Sequence, residues 1–327
     1  MIESGGEIDA PFRGLFPLSH NVGAACKELI NYALVDAFTD VPFKGNPAGV
    51  CILSTWRKSH WLQQIASELN VNMTAFLVKK EVLEPKCNYT VEGASSLEEK
   101  AHDSLIHAYD IRWFTRTSEV SLCGHATLAS AYLLFGSGIV EGEVIGLHPK
   151  EGGVLYARKV NKASGDGFLV ELNFPILTIH EYYPDGTEFF PNTFRSCQAV
   201  STYKTSANDF LVVLPSEECV RTLRPSIDEM RENGDFRGLI VTGQGSCGYD
   251  FVSRFFAPKV GVDEDPVCGQ AHCALAPFWS KMLKKSTLIA YQASDRSGIL
   301  YLRVDNESQR VYLQGEATLI MSGILYV

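Results

Sequence analysis

Positive charge is scarce in this sequence. There are 29 Lys and Arg against 38 Asp and Glu, a formal net charge of −9. A surface that tracks phosphates carries a basic excess, so nucleic acid is not an expected partner. No uninterrupted apolar run approaches the roughly 18 residues needed to span a bilayer, so no membrane partner is expected either. The first residues, MIESGGEIDAPFRG, lack the basic flank and apolar stretch of a secretory signal, which favours a cytoplasmic location. Nucleotide-phosphate motifs are missing: there is no Walker A, and Gly243-Gln244-Gly245 lacks the third glycine and the helix of a dinucleotide fingerprint. Cys123-x-His125 and His272-Cys273 supply four nitrogen or sulfur atoms, but neither pair has the spacing of a structural zinc site.

What remains is an ordinary globular composition of 327 residues, 46% hydrophobic and 20% charged. That length suggests about two domains. The nine cysteines are odd in number, and the chain is long enough to build a core without cross-links, so reduced thiols are expected. β-branched and aromatic runs predict strands over 32–38, 48–53, 74–78, 111–115, 209–214, 238–242 and 251–256. Two more flank the turn at 164–167, and others close the chain near 298–304, 311–313 and 317–327. Residues 59–70 read as a helix capped by Ser59, with Trp61, Ile65 and Leu69 at a helical period, and 227–233 as another. The stretch 84–108 is polar and reads as a surface insertion, and 180–195 is loop-like.

One internal echo carries chemistry. Leu122-Cys123-Gly124-His125-Ala126 and Val267-Cys268-Gly269-Gln270-Ala271 both read apolar, Cys, Gly, any residue, Ala, and each leads into an apolar helix pattern. They lie roughly 145 residues apart, the spacing of a duplicated unit. Pro277 should kink or restart the second helix. The first amides of a helix have no intrahelical partner, and with the helix dipole they favour a bound carboxylate or a thiolate. A cysteine at such a position is expected to have its pKa lowered. Two such thiols facing one another suit inversion of a stereocentre: one removes the proton beside a carboxylate and the other returns a proton to the opposite face. The helix-end amides would hold the carboxylate and the charge that develops on it.

Several motifs, in order, resemble the phenazine-biosynthesis PhzF-like family. They are Asp36-Ala37-Phe38-Thr39 with Lys44-Gly45-Asn46-Pro47-Ala48-Gly49-Val50, then Arg112-Trp113-Phe114-Thr115, Leu122 to Thr127, Phe256-Ala257-Pro258, and Glu264-Asp265-Pro266-Val267. The resemblance implies the α/β (α+β) fold of diaminopimelate epimerase: two pseudo-symmetric domains, each a curved β-sheet around a central helix, with the active site between them. It implies no metal, no organic cofactor and a homodimer acting on a small-molecule carboxylate. The corresponding organisation is an N-terminal extension at 1–30, a first domain at 31–183 with its insertion at about 84–108, a second at 184–315, and a C-terminal strand at 316–327 returning to the first.

The sequence departs from the family where its acid/base glutamate belongs. The segment N-x-S-E-T-x-F is here Asn70-Val71-Asn72-Met73-Thr74-Ala75-Phe76, and a thioether cannot shuttle a proton. The motif E-D-P-V-T-G-S-A-H has become Glu264-Asp265-Pro266-Val267-Cys268-Gly269-Gln270-Ala271-His272. Cys123 and Cys268 match the two acid/base cysteines of the related epimerases. The expectation is therefore a cofactor-independent amino-acid racemase or epimerase with Cys123 and Cys268 as its acid and base. Asn46, Met73, Gly124, His125, Ala126, Asp265, Gly269, Gln270 and Ala271 are its expected substrate contacts, with Met73 leaving part of the pocket apolar. Two alternatives stand beside it: a PhzF-like shift of a double bond or proton in a small carboxylate, and a catalytically degenerate binding protein.

Overall fold

The computed structural model describes residues 29–80, 107–162, 165–182 and 190–327. The expected extension and polar insertion lie outside the described residues, apart from the last two residues of each, which open strands. Residues 183–189 of the loop-like segment are outside as well.

The chain repeats one pairing scheme twice. In the first half, β1 (Leu29–Ala37) pairs antiparallel with β2 (Asn46–Leu53), which runs parallel to β3 (Met73–Lys79) after the crossover helix α1 (Ser59–Leu69). β3 pairs antiparallel with β4 (His107–Phe114), which holds the short β5 (Glu119–Val120) on the same terms. After helix α2 (Gly124–Gly136), β6 (Val144–Pro149) returns parallel to β4, and β7 (Leu155–Asn161) and β8 (Phe168–Pro175) follow antiparallel.

The second half takes the same steps. Past β9 (Ile179–Glu181), β10 (Ser201–Thr205) is antiparallel to β11 (Asp209–Val213). Helices α3 (Glu217–Thr222) and α4 (Ile227–Glu232) cross over to the parallel β12 (Gly238–Gln244). β13 (Phe251–Ala257) is antiparallel to β12 and holds the short β14 (Val262–Asp265). After helix α5 (Gly269–Leu283), β15 (Thr287–Gln292) returns parallel to β13, and β16 (Gly298–Asp305) and β17 (Arg310–Gly315) follow antiparallel.

The strand that follows each scheme pairs with the first strand of the other: β9 with β10, and β18 (Ala317–Tyr326) with β1. β8 and β17 pair with each other, so the described strands form one continuous sheet. Phe38, in the left-handed region at φ 65°, is wedged between the halves. A Cβ on Gly315 would stand 2.5 Å from its ring, so that contact demands glycine.

α2 and α5 run through the main core. α2 is apolar on every side, the pattern of a helix enclosed by its sheet. Its polar side chains fold back on the helix: Thr127 Oγ1 donates to the Cys123 carbonyl at 2.6 Å and Ser130 Oγ to the Ala126 carbonyl at 2.7 Å. Smaller cores fill the outer faces, one under α1 and one under α3 and α4.

Three local expectations change. Pro277 does not restart α5, which is continuous from Gly269 to Leu283. The carbonyl that Pro277 cannot serve, that of Cys273, accepts from the Leu177 amide at 3.0 Å, so no buried acceptor is stranded. Ser59 does not cap α1. Lys58 takes that position, and Ser59 Oγ accepts from Arg112 Nη2 at 2.6 Å. The cysteines are not all reduced: Cys197, beside the 191–196 turns, is disulfide-bonded to Cys219 in α3. The spacing of 22 residues carried no signal of this, because the approach is made by the fold.

Candidate active site

Cys123 and Cys268 are the residues just before α2 and α5, each with extended backbone. The glycines that follow them bring the two helix starts together: a Cβ on Gly124 would lie 3.8 Å from the Gly269 Cα. Around this junction is a cavity of about 540 Å³. Met73, Cys123, Gly124, His125, Asp265, Cys268, Gly269 and Gln270 all line it.

Three expected contacts are elsewhere. Asn46 is fully buried behind the wall; its Nδ2 donates to Asp265 Oδ1 at 2.6 Å and to the Val267 carbonyl at 2.9 Å. The Ala271 amide donates to Cys268 Sγ at 3.4 Å, so it serves the sulfur rather than a guest. Ala126 likewise turns its amide toward Cys123, behind the cavity wall.

The electrostatics reverse one expectation. The helix-end amides do pull the thiols down, but burial outweighs them. Cys123 is pushed up to about 12, first by desolvation, against the Ala126 and His125 amides and with the Asp265 charge adding to the rise. Cys268 is also raised well above the ordinary thiol range, by desolvation and then by Asp265, with Arg237 opposing. Both thiols are therefore protonated at rest at neutral pH.

Each has a proton acceptor beside it. His125 Nδ1 lies 3.3 Å from Cys123 Sγ, and burial lowers the imidazole to about 4, so it is neutral. Asp265 is raised by desolvation to about 6, against hydrogen bonds from the Cys268 thiol and Asn46, and is ionised at neutral pH.

Two important residues have no signature in the sequence. Arg237, just before β12, faces the cavity, where its Nη1 donates to Gln270 Oε1 at 2.7 Å and its Nε to Asp209 Oδ1 at 2.8 Å. Gln292, at the end of β15, is fully buried and braces the approach to α5. Its Nε2 donates to the Asp265 carbonyl at 2.7 Å, and its Oε1 accepts from the Cys268 amide at 2.9 Å. Each lies far in sequence from the motif it supports. Among the described residues no three His, Cys, Asp or Glu side chains gather as metal ligands, and no helix is long and apolar enough to cross a membrane.

Comparison with known proteins shows the family and the fold. An isomerase of Halalkalibacterium halodurans, named as uncharacterized, is 37% identical over 291 residues, which cover 88% of this chain and 95% of its own. A crystal structure of a PhzF-family protein from Enterococcus faecalis is 33% identical with a TM-score of 0.74, over 92% of this chain and all of that one. A hydroxyproline epimerase from Agrobacterium vitis, solved with trans-4-hydroxy-L-proline, shares the fold at 10% identity: its TM-score is 0.56 over 91% of this chain and 93% of its own. The model of the phenazine biosynthesis-like protein family matches residues 35–323. The chain belongs to that family.

Proposed function

We propose that this protein is an isomerase that inverts the α-carbon of an amino acid, with Cys123 and Cys268 as the opposed acid and base. One observation carries the reading: Cys123 and Cys268 line a single cavity at the starts of two helices whose opening glycines meet. Relatives named as isomerases, in a family whose fold is shared with an epimerase, support the coarser statement.

Asp265 is the counter-ion for the substrate ammonium, and the free amides of the two helix starts receive the carboxylate. One thiol first gives up its proton, Cys123 to the neutral His125 or Cys268 to water, so that Asp265 stays ionised against the ammonium. The resulting thiolate takes the α-proton. The electron pair of that C–H bond moves into the carboxylate as an enediolate, held by the helix-end amides. The opposite thiol then delivers its proton to the other face. The pair leaves with its protonation exchanged, solvent carries the first proton back to the new thiolate to restore the resting state, and no oxidant or reductant is consumed. Met73 stands where the family glutamate would be and takes no part in proton transfer.

Incubation of proteinogenic amino acids in deuterated buffer under reducing conditions tests this. Deuterium at Cα with growth of the other enantiomer is expected for at least one of them. No exchange with any, from folded protein, would refute it. The second reading, migration of a double bond in a small carboxylate, is favoured by the family match itself. It differs in product: a regioisomer with altered ultraviolet absorption instead of an enantiomer with the same spectrum.

A further inference from the structure

The cavity is larger than the chemistry requires. About 540 Å³ is an ordinary size for a site that swallows a whole small molecule, whereas an α-carbon with its ammonium and carboxylate fills only a corner of it. The charged residues Asp265 and Arg237 stand beside Cys268 and Gln270, and the uncharged polar residues Asn72, Thr115 and Ser118 also belong to the lining. On the remaining wall stand Val120 and Leu122 from the first half and Phe255, Val260 and Val262 from the second.

Two of these stand largely in water. Leu122 is 43% exposed and Val260 61% exposed, although both line the cavity. They come from opposite halves: Leu122 immediately precedes Cys123, and Val260 ends the turn after β13. Large apolar side chains held in water at a cavity rim mark a surface that a ligand covers.

Charge narrows the ligand further. The charged residues of the lining are Arg237 and Asp265. Arg237 is already engaged by Asp209 and Gln270, and Asp265 is reserved for the ammonium. A charged substrate side chain would be desolvated there without a counter-ion.

We propose that the site selects a 2-amino carboxylate with a bulky apolar side chain, branched or aromatic, and that Leu122 and Val260 are its specificity-determining residues. This rests on the racemase reading above. The side chain lies along the wall from Val120 to Val262, and the two exposed residues close over it from either half.

Two experiments separate this substrate class from the reaction itself. The first is calorimetric titration with unreactive acids: 3-phenylpropionate and 4-methylpentanoate against propionate and succinate. The two apolar acids should bind at least about tenfold more tightly than propionate, in line with what hydrophobic pockets gain from added methylenes. The Leu122→Ser/Val260→Ser double variant should lose most of that preference. If that protein is not folded by circular dichroism, Val260→Ser alone, at the more exposed position, should show the same loss in part. Equal binding of propionate, tighter binding of succinate, no binding of any acid, or a preference unchanged in the variants would overturn the proposal. The second experiment compares α-deuterium exchange of phenylalanine, leucine, alanine and aspartate. Faster exchange of the first two is expected. Alanine or aspartate exchanging as fast as phenylalanine sinks the specificity and leaves the racemase reading standing. Absent exchange with these four and with every other proteinogenic amino acid, while the apolar acids still bind preferentially, sinks the racemase reading and leaves the cavity preference standing.

Discussion

Asn46 donates a 2.6 Å hydrogen bond to Asp265, joining the first residue of β2 to the last residue of β14 across 219 positions of sequence. The same amide holds the Val267 carbonyl, so this buried side chain and Gln292 together fix the approach to Cys268. Asp265 faces the cavity and Asn46 stands behind it. The asparagine acts through the carboxylate, as a positioning residue.

That relationship predicts a pH signature. Asp265, raised to about 6 by desolvation, must be ionised to hold an ammonium. Turnover at low substrate concentration (kcat/KM) should therefore fall as pH drops through about 6. Asn46→Ala removes one of the hydrogen bonds that favour the carboxylate, so this acid limb should move to higher pH. Stability should also drop by about 1–3 kcal/mol, because the buried Val267 carbonyl loses its donor. A pH profile of initial rates and a urea titration read the two effects, and an unmoved limb would assign Asn46 a purely structural role.

The two thiols should be separable. With Cys123→Ser or Cys268→Ser, inversion should fall by at least about 100-fold, since a hydroxyl is a far weaker base than a thiol. The surviving thiol can still remove and return a proton on its own face. Each single variant should then exchange deuterium into one enantiomer of the substrate, and the two variants into opposite enantiomers. Chiral chromatography with mass detection distinguishes this from loss of both activities.

His272 gives a stability prediction whose sign is set by burial. It sits in α5 with Nδ1 2.7 Å from the Cys268 carbonyl and stacks on Phe251. Desolvation lowers it to about 4, below its unfolded value near 6.5. The unfolded chain therefore binds the proton first, and native stability is lost as pH falls from about 6.5 to about 4. The cost is roughly 3 kcal/mol over that interval. His272→Asn should flatten the dependence by about that amount relative to the unmutated protein, measured as the difference in denaturation free energy between pH 7 and pH 4.

The Cys197–Cys219 disulfide closes a 22-residue loop and should contribute about 3 kcal/mol. Reductant should lower the thermal midpoint of the unmutated protein. The Cys197→Ala/Cys219→Ala double variant should start lower and ignore reductant. Equal sensitivity in both would mean that the cross-link does not form in solution.

Much of this molecule was legible before any coordinates. Helix starts are local: an apolar residue, Cys, Gly and an apolar run are enough to place α2 and α5, and the repeat of that pattern anticipates two equivalent halves. The family motifs were equally plain, because each is contiguous. Strands with a strong β-branched run could be read directly. β6, with Gly146, His148 and Pro149 in a run of six residues, and β15 could not, because their strand state comes from parallel pairing with β4 and β13 after a central helix.

The sequence by itself determined the residue types at the two helix starts, the apolar substitution at Met73 and the membership of a family, since all of these are properties of short contiguous segments. Only the tertiary structure decided that Gly124 meets Gly269, that Arg237 and Gln292 serve the site from distant strands, and that Asn46 supports Asp265 from behind. It also decided the protonation of the thiols. A helix terminus acts over a single turn and lowers the pKa, whereas desolvation sums over every neighbour the fold supplies, and in this dry junction the larger effect raises it.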